Sequence, residues 1–265
     1  MESGIFYFKA GQADVYMLVE SERDGNAGIL KGADENTLKR FLPAQGFKHS
    51  ANAFLVKSGG RNILIDAGTG QGGIIAEKIK SLGADPEDIN AVLITHLHGD
   101  HFGGLQKDGK AVFQNAKIYI SERELEYFTV TNVNQGAVNA LGPYLNSQMI
   151  TTFEPGAVSE KTKNELLPGI YPIAAYGHTP GHTIYLLDTK LLIIGDLLHV
   201  AAVQFNVPSI NAVYDMDGAA SADTRARVLA YAQSNSISIG GMHIAYPGIG
   251  TLEASGGGFN FIPME

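Results

Sequence analysis

The apolar run Ala91-Val92-Leu93-Ile94-Thr95 is followed without a break by His96-Leu97-His98-Gly99-Asp100-His101. The run reads as a buried strand, so three imidazoles and one carboxylate are delivered where a strand turns into a loop. Neutral imidazole is the commonest protein metal ligand, and a carboxylate beside it adds the hard oxygen that zinc or iron also accepts. His96 and His98, two apart, leave the chain in nearly the same direction. The turn at Gly99 redirects Asp100 and His101 toward a second point, so the spacing suggests two adjacent metals. A His-rich hexapeptide can also be an exposed loop without chemistry. Against that, only eight His occur in 265 residues and three fall here.

The pattern around this strand sets the fold. Ile5 to Phe8 and Val15 to Val19 read as strands joined through Gly11, and a short helix is expected from Thr37 to Leu42 before Pro43. Asn52 to Lys57 and Asn62 to Ile65 flank the hairpin signal Ser58-Gly59-Gly60. Ile75, Ile79 and Leu82 recur at helical spacing, with Gly83 as the stop. Lys117 to Ile120 is a strand, and Ser121-x-x-Glu124 reads as a capping box. Residues 129–150 are poorly patterned and read as an excursion able to form a pocket wall. Ile184 to Asp188 and Leu191 to Ile194 form a second hairpin, Ser221 to Gln233 a helix, and Ile237 to Gly240 a strand leading into Met242-His243. Each half thus runs hairpin, apolar strand ending in Asp, helix, then strand ending in His. That alternation predicts two mixed sheets packed together with helices outside, in one domain over 1–265.

Composition narrows the partners. Hydrophobic content of 45% with 17% charged residues fits a well-cored globule, and no run approaches a membrane span. The absence of Cys removes disulfides and thiolate ligands together. A net charge of −8 argues against nucleic acid, and from Leu191 onward the only cations are Arg225 and Arg227. A small neutral substrate is expected. Met1-Glu2-Ser3-Gly4 has no basic segment leading into an apolar stretch, so a cytoplasmic location is expected, and a homodimer is compatible with the chain.

Three further places complete a candidate site. Gly177-His178-Thr179-Pro180-Gly181-His182-Thr183 is a tight loop with two His, one reading as a ligand and the other as its hydrogen-bonding support. Asp196 closes an apolar strand, where an unpaired carboxylate is costly to bury and a metal removes the cost. His243 also ends an apolar strand; alone it reads as a satisfied core histidine.

Together, His96-x-His98-x-Asp100-His101, His182, Asp196 and His243 resemble the metallo-β-lactamase superfamily, and Leu64-Ile65-Asp66-x-Gly68 matches its strand end, over about residues 50–250. Gly177–Thr183, Gly195-Asp196-Leu197, Val200 to Phe205, Pro208 and Pro247-Gly248-Ile249-Gly250 are similar to its methyl parathion hydrolase-like branch, a relative of the quorum-quenching lactonases. The resemblance implies an αββα four-layer sandwich and two divalent ions, zinc first among Zn, Fe, Mn and Co, about 3.5 Å apart. It places His96, His98 and His182 on the first metal, Asp100, His101 and His243 on the second, and Asp196 across both. Asp66 and His178 would then orient ligands from behind.

The implied activity is hydrolysis of neutral hydrophobic esters, lactones or organophosphate triesters by a metal-bridging hydroxide, with Asp100, Asp196 and His199 as catalytic candidates. A redox or oxygenase protein using iron on the same scaffold is the alternative reading. The lactonases carry Tyr three residues after the bridging Asp, and this chain has His199 there, which either donates a hydrogen bond to the substrate oxygen or packs as a polar residue. Phe102, Tyr171 and Phe205 are candidate pocket walls against a reading as core.

Overall fold

Apolar strands buried on both faces form the centre of the molecule. The computed structural model describes residues 4–160 and 164–265. Strands β1 (Ile5–Ala10), β2 (Ala13–Asp24), β3 (Lys48–Ser58), β4 (Arg61–Ile65), β5 (Ile89–Leu93), β6 (Lys117–Ser121) and β7 (Ile150–Phe153) form one sheet in chain order. It is antiparallel from β1 to β4 and parallel from β4 to β7. Strands β8 (Ile170–Ala174), β9 (Thr183–Leu187), β10 (Leu191–Ile193), β11 (Ser238–Gly240), β12 (Ile249–Ser255) and β13 (Gly258–Pro263) form the second. Only its β10–β11 pair is parallel.

The two-residue period of a strand explains the layering. Phe54, Val56, Ile63, Ile65 and Leu93 point inward, meeting Tyr185, Leu191 and Ile193 of the second sheet. The alternate residues Leu55, Leu64 and Val92 face outward, onto Ile75 and Ile79 of helix α1 (Ile74–Ser81). On the far side Ile184, Leu186 and Leu192 pack against Val228, Leu229 and Ala232 of helix α2 (Gly218–Ser234). Each such side chain contributes about 1.5–3 kcal/mol by leaving water. The four layers are the expected αββα sandwich.

Two local expectations are corrected. Residues 129–150 are largely helical: a π-helical turn spans Tyr127–Thr131 and a helix spans Gln135–Asn146, capped by Asn134. Ala137, Ala140, Leu141 and Tyr144 form its buried stripe, which Gly136, Gly142 and Pro143 obscure in the sequence. The second correction concerns Ser121, which does cap the Glu122–Glu126 helix by accepting from the Glu124 N–H at 3.2 Å. The Glu124 carboxylate does not reach back to complete a box.

Glu124 instead lies wholly buried between two loops. One oxygen accepts from Leu97 N–H, the other from Thr179 Oγ–H and Gly181 N–H, each at 2.8 Å. The loop after β5 and the loop before β9 are thereby tied to one carboxylate. Glu124→Ala orphans three buried donors and is expected to lower unfolding free energy by about 3 kcal/mol. A denaturant melt checks it; an unchanged midpoint would remove this tie from the fold.

Candidate metal centre

Strand ends of both sheets bring the ligand-bearing residues to one edge. Asp66 follows β4 with φ of 56°, a left-handed conformation uncommon outside glycine. That twist sends its carboxylate back across β5, where it accepts from Thr95 N–H at 2.8 Å and Thr95 Oγ–H at 2.7 Å. It also holds His101 Nδ1 at 2.6 Å, leaving His101 Nε2 turned toward Asp196 Oδ1, 3.1 Å away. Asp66 is thus placed behind a candidate ligand, as expected.

Two groups assemble around Asp196. His96 Nε2 and His98 Nδ1 lie 3.1 Å apart, and His178 Nε2 is 3.0 Å from the same His98 atom. With Asp196 they form one cluster of ligand-capable atoms, while Asp100, His101 and His243 form another. His243 Nε2 lies 3.1 Å from Asp196 Oδ2 and 3.5 Å from Asp100 Oδ2. His243 is fixed from behind by Nδ1–H donation to Ser50 O at 2.8 Å.

The third histidine of the first group is His178, not His182. His182 Nδ1 donates to Ala175 O and its Nε2 accepts from the Asp196 N–H, both at 3.0 Å, so neither ring nitrogen is free. Gly195 permits this approach: it has φ of 51°, and a Cβ there would stand 2.5 Å from His182 Nε2. His182 therefore supports the backbone of Asp196. His178 has the complementary environment: Nδ1 faces Asp215 Oδ1 at 3.0 Å, which leaves Nε2 for the cluster.

Asp215 is held in turn. Its other oxygen accepts from Ala212 N–H at 2.9 Å and from Arg225 Nη2 at 3.3 Å. Burial would raise its carboxyl, but the bonds from His178 and Ala212 and the Arg225 charge outweigh that and hold it at about 2. Arg225 is fully buried and also donates to Pro208 O, Ile210 O, Leu197 O and Ser221 Oγ. One guanidinium thus fixes both the backbone beside Asp196 and the carboxylate behind His178.

The donors fit divalent cations. His101 Nε2 and Asp196 Oδ1 are buried and 3.1 Å apart yet make no hydrogen bond, the relation of two ligands aimed at a shared point. Burial, followed by neighbouring imidazoles, pushes His96 down and His98 to about 4, keeping both rings neutral as ligands must be. His199 is also buried, and neither of its ring nitrogens has a partner, although Nε2 is 3.2 Å from Asp196 Oδ2.

A cavity of about 540 Å³ opens over this edge, lined by Arg23, His49 and Tyr214 together with His98, Asp100 and His199. Phe102, Tyr171 and Phe205, the candidate walls, are absent from its lining: Phe102 belongs to the core and Phe205 stacks on Phe261. His49 stacks on His243 at 4.5 Å, and burial, then His243 and Arg23, push it down to about 4. All eight histidines of the chain therefore gather here. His49, Asp215 and the supporting role of Arg225 escape sequence reasoning because each sits in a segment with no motif.

Comparison with known proteins follows the geometry. A family model described as the metallo-beta-lactamase superfamily matches residues 47–235. An N-acyl homoserine lactonase from Bacillus sp is 28% identical over 116 residues, 44% of this chain and 40% of that protein. The chain thus spans less than half of that relative's length. The crystal structure of AbOPH, a hydrolase in the beta lactamase superfamily, superimposes with a TM-score of 0.87 at 28% identity, covering 99% of this chain and 98% of that one. AidC, a dizinc quorum-quenching lactonase, gives a TM-score of 0.82 at 22% identity over 99% of this chain and 98% of that one, a likeness of fold.

The two histidines of the 177–183 loop are separable by experiment. His178→Ala is expected to bind less metal, whereas His182→Asn keeps the metal content of the unaltered protein and loses only stability. Asp215→Asn should weaken metal binding by about 10- to 100-fold, the usual cost of losing a ligand's supporting partner. Elemental analysis and chelator competition measure all three; loss of metal in the His182 variant alone would reverse the assignment.

Proposed function

This chain belongs to the metallo-beta-lactamase superfamily, and we propose that it is a dinuclear zinc hydrolase of small esters, lactones or organophosphate triesters. The observation that carries the reading is the pair of clusters, His96/His98/His178 and Asp100/His101/His243, meeting at Asp196. Seven donors are too many for one tetrahedral ion. When bound, the ions supply Lewis acidity and lower the pKa of a coordinated water from about 15.7 to ~7. The hydrolase AbOPH and the Bacillus lactonase support hydrolysis as the reaction class.

The chain's own groups divide the remaining work. Asp196 sets the two clusters at a fixed separation, because His96, His101, His178 and His243 all aim a ring nitrogen at its carboxylate. Asp100 Oδ2, between His101 and His243, faces the cavity and is placed to take a proton from the attacking water and return it to the leaving group. His199 lines the cavity, its Nε2 beside Asp196 and neither ring nitrogen in a hydrogen bond, so it donates one to the substrate oxygen as charge builds there. The Tyr214 ring lies 5.5 Å from His199 on the lining of the same cavity. The proposed scissile group is uncharged, and a net charge of −8 disfavours association with nucleic acid.

Turnover of aryl esters, γ- and δ-lactones, acyl-homoserine lactones and paraoxon-type triesters by zinc-loaded protein tests the proposal. Absence of any chelator-sensitive hydrolysis across the panel would refute it. Asp196→Ala should lose metal and activity together. His199→Phe should keep both ions while kcat falls about 10- to 100-fold, the cost of one transition-state donor. Full kcat in that variant would make His199 structural.

A further inference from the structure

The sparse cations of the late chain point away from anionic groups, but folding brings a cation from the early chain to the cavity. Strand β2 carries one extra residue at Glu20, where its register against β3 shifts between Val19 and Ser21. Such a bulge bends and twists a strand. Here it turns the Glu20 carboxylate onto the N–H groups of Thr69 and Gly70, and the following residues 21–24 pair with 48–51. In that pairing Arg23 stands directly opposite His49, whose ring stacks on His243. Cross-strand partners share a face, so the Arg23 side chain is on the cavity side.

Arg23 is free to take a ligand. Its neighbour Asp24 is bound by Lys48 at 2.7 Å, and Glu22 accepts from Tyr246 N–H. Among the described residues no carboxylate lies within ion-pair distance of Arg23, although Arg23 lines two cavities. The second, about 170 Å³, adjoins the first and shares Arg23, His49, Asp100 and His243 with it. A molecule whose reacting group sits at Asp100 and His243 therefore has Arg23 beside its remaining portion. A guanidinium fork matches a carboxylate with two parallel bonds.

We infer that Arg23 is a specificity residue that binds a carboxylate carried by the substrate away from its scissile, uncharged bond. The inference rests on the reading of this edge as a metal-dependent hydrolytic site. It makes the preferred substrate an ester or lactone acid, charged away from the bond that is cleaved, in place of a wholly neutral molecule.

The test reads binding without turnover. Calorimetry on zinc-loaded protein compares α,ω-dicarboxylates from succinate to suberate with monocarboxylates of equal chain length. The metal centre takes one carboxylate of either kind, so the difference reports the second. At least one dicarboxylate is expected to bind about 10-fold tighter than its monocarboxylate. Arg23→Leu should abolish that advantage and leave monocarboxylate affinity unchanged, with Arg23→Lys retaining part of it. No advantage at any length, no binding of either series, or an advantage that survives Arg23→Leu would each overturn the assignment. A protein that shows the Arg23-dependent advantage yet hydrolyses no ester would instead overturn the hydrolase reading alone.

Discussion

The arrangement of the whole edge depends on the carboxylate of Asp196, which is nearly inaccessible to solvent. Burial alone would raise its carboxyl strongly, but His101, His243 and His96 outweigh that and hold it far below the usual carboxylate range. A buried anion is stable only with compensating charge. In the protein as folded, His101 and His243 are the groups pushed upward to meet that need, against their own desolvation. Two divalent cations would meet it instead, with the imidazoles neutral. The site is therefore built to be completed by metal, and the same charge that costs stability without metal organises the ligands around it.

Around that anion stands a set of buried carboxylates that line neither of the two cavities at this edge. Asp66 fixes His101, Asp215 fixes His178, and Glu124 ties the loop bearing His98 to the loop bearing His178. Each accepts at least three hydrogen bonds, which is what makes its burial tolerable. Arg225 adds a layer behind Asp215 and reaches the Leu197 carbonyl next to Asp196. This explains why one of the two cations of the late chain contributes nothing to substrate charge: it is spent inside.

Much of this was legible in the sequence where periodicity or spacing carries the information. The strands around Asp66, His96, Asp196 and His243 end where apolar runs end, and the αββα layering follows from alternation within those runs. The choice between His178 and His182 was not legible. Both sit on one glycine- and proline-rich loop, and what separates them is which nitrogen the backbone of Ala175 and Asp196 consumes, a three-dimensional fact. The Gln135–Asn146 helix was hidden because Gly136, Gly142 and Pro143 lower local helical preference, while its stripe of Ala137, Leu141 and Tyr144 is satisfied only by packing on the sheet. Arg23 was overlooked for a related reason: a count of cations along the chain cannot see a bulge that brings a strand of the first sheet across the mouth.

The two halves repeat one design and then diverge by what surrounds equivalent atoms. β4 and β10 each leave a hairpin, pair in parallel with the next strand, and are followed within three residues by an aspartate, Asp66 or Asp196. Asp66 finds Thr95 and His101 within hydrogen-bond reach and is filled by them. Asp196 is met by imidazoles of its own half instead, His243 Nε2 at 3.1 Å and His199 Nε2 at 3.2 Å from Oδ2, while His182 accepts from its backbone N–H. Its oxygens are left facing rings from both halves, and Oδ1 has no hydrogen bond at all. Equivalent positions thus differ in what fills them: Asp66 takes backbone, hydroxyl and imidazole donors, whereas the side chain of Asp196 is faced by imidazoles and keeps one oxygen without a hydrogen bond.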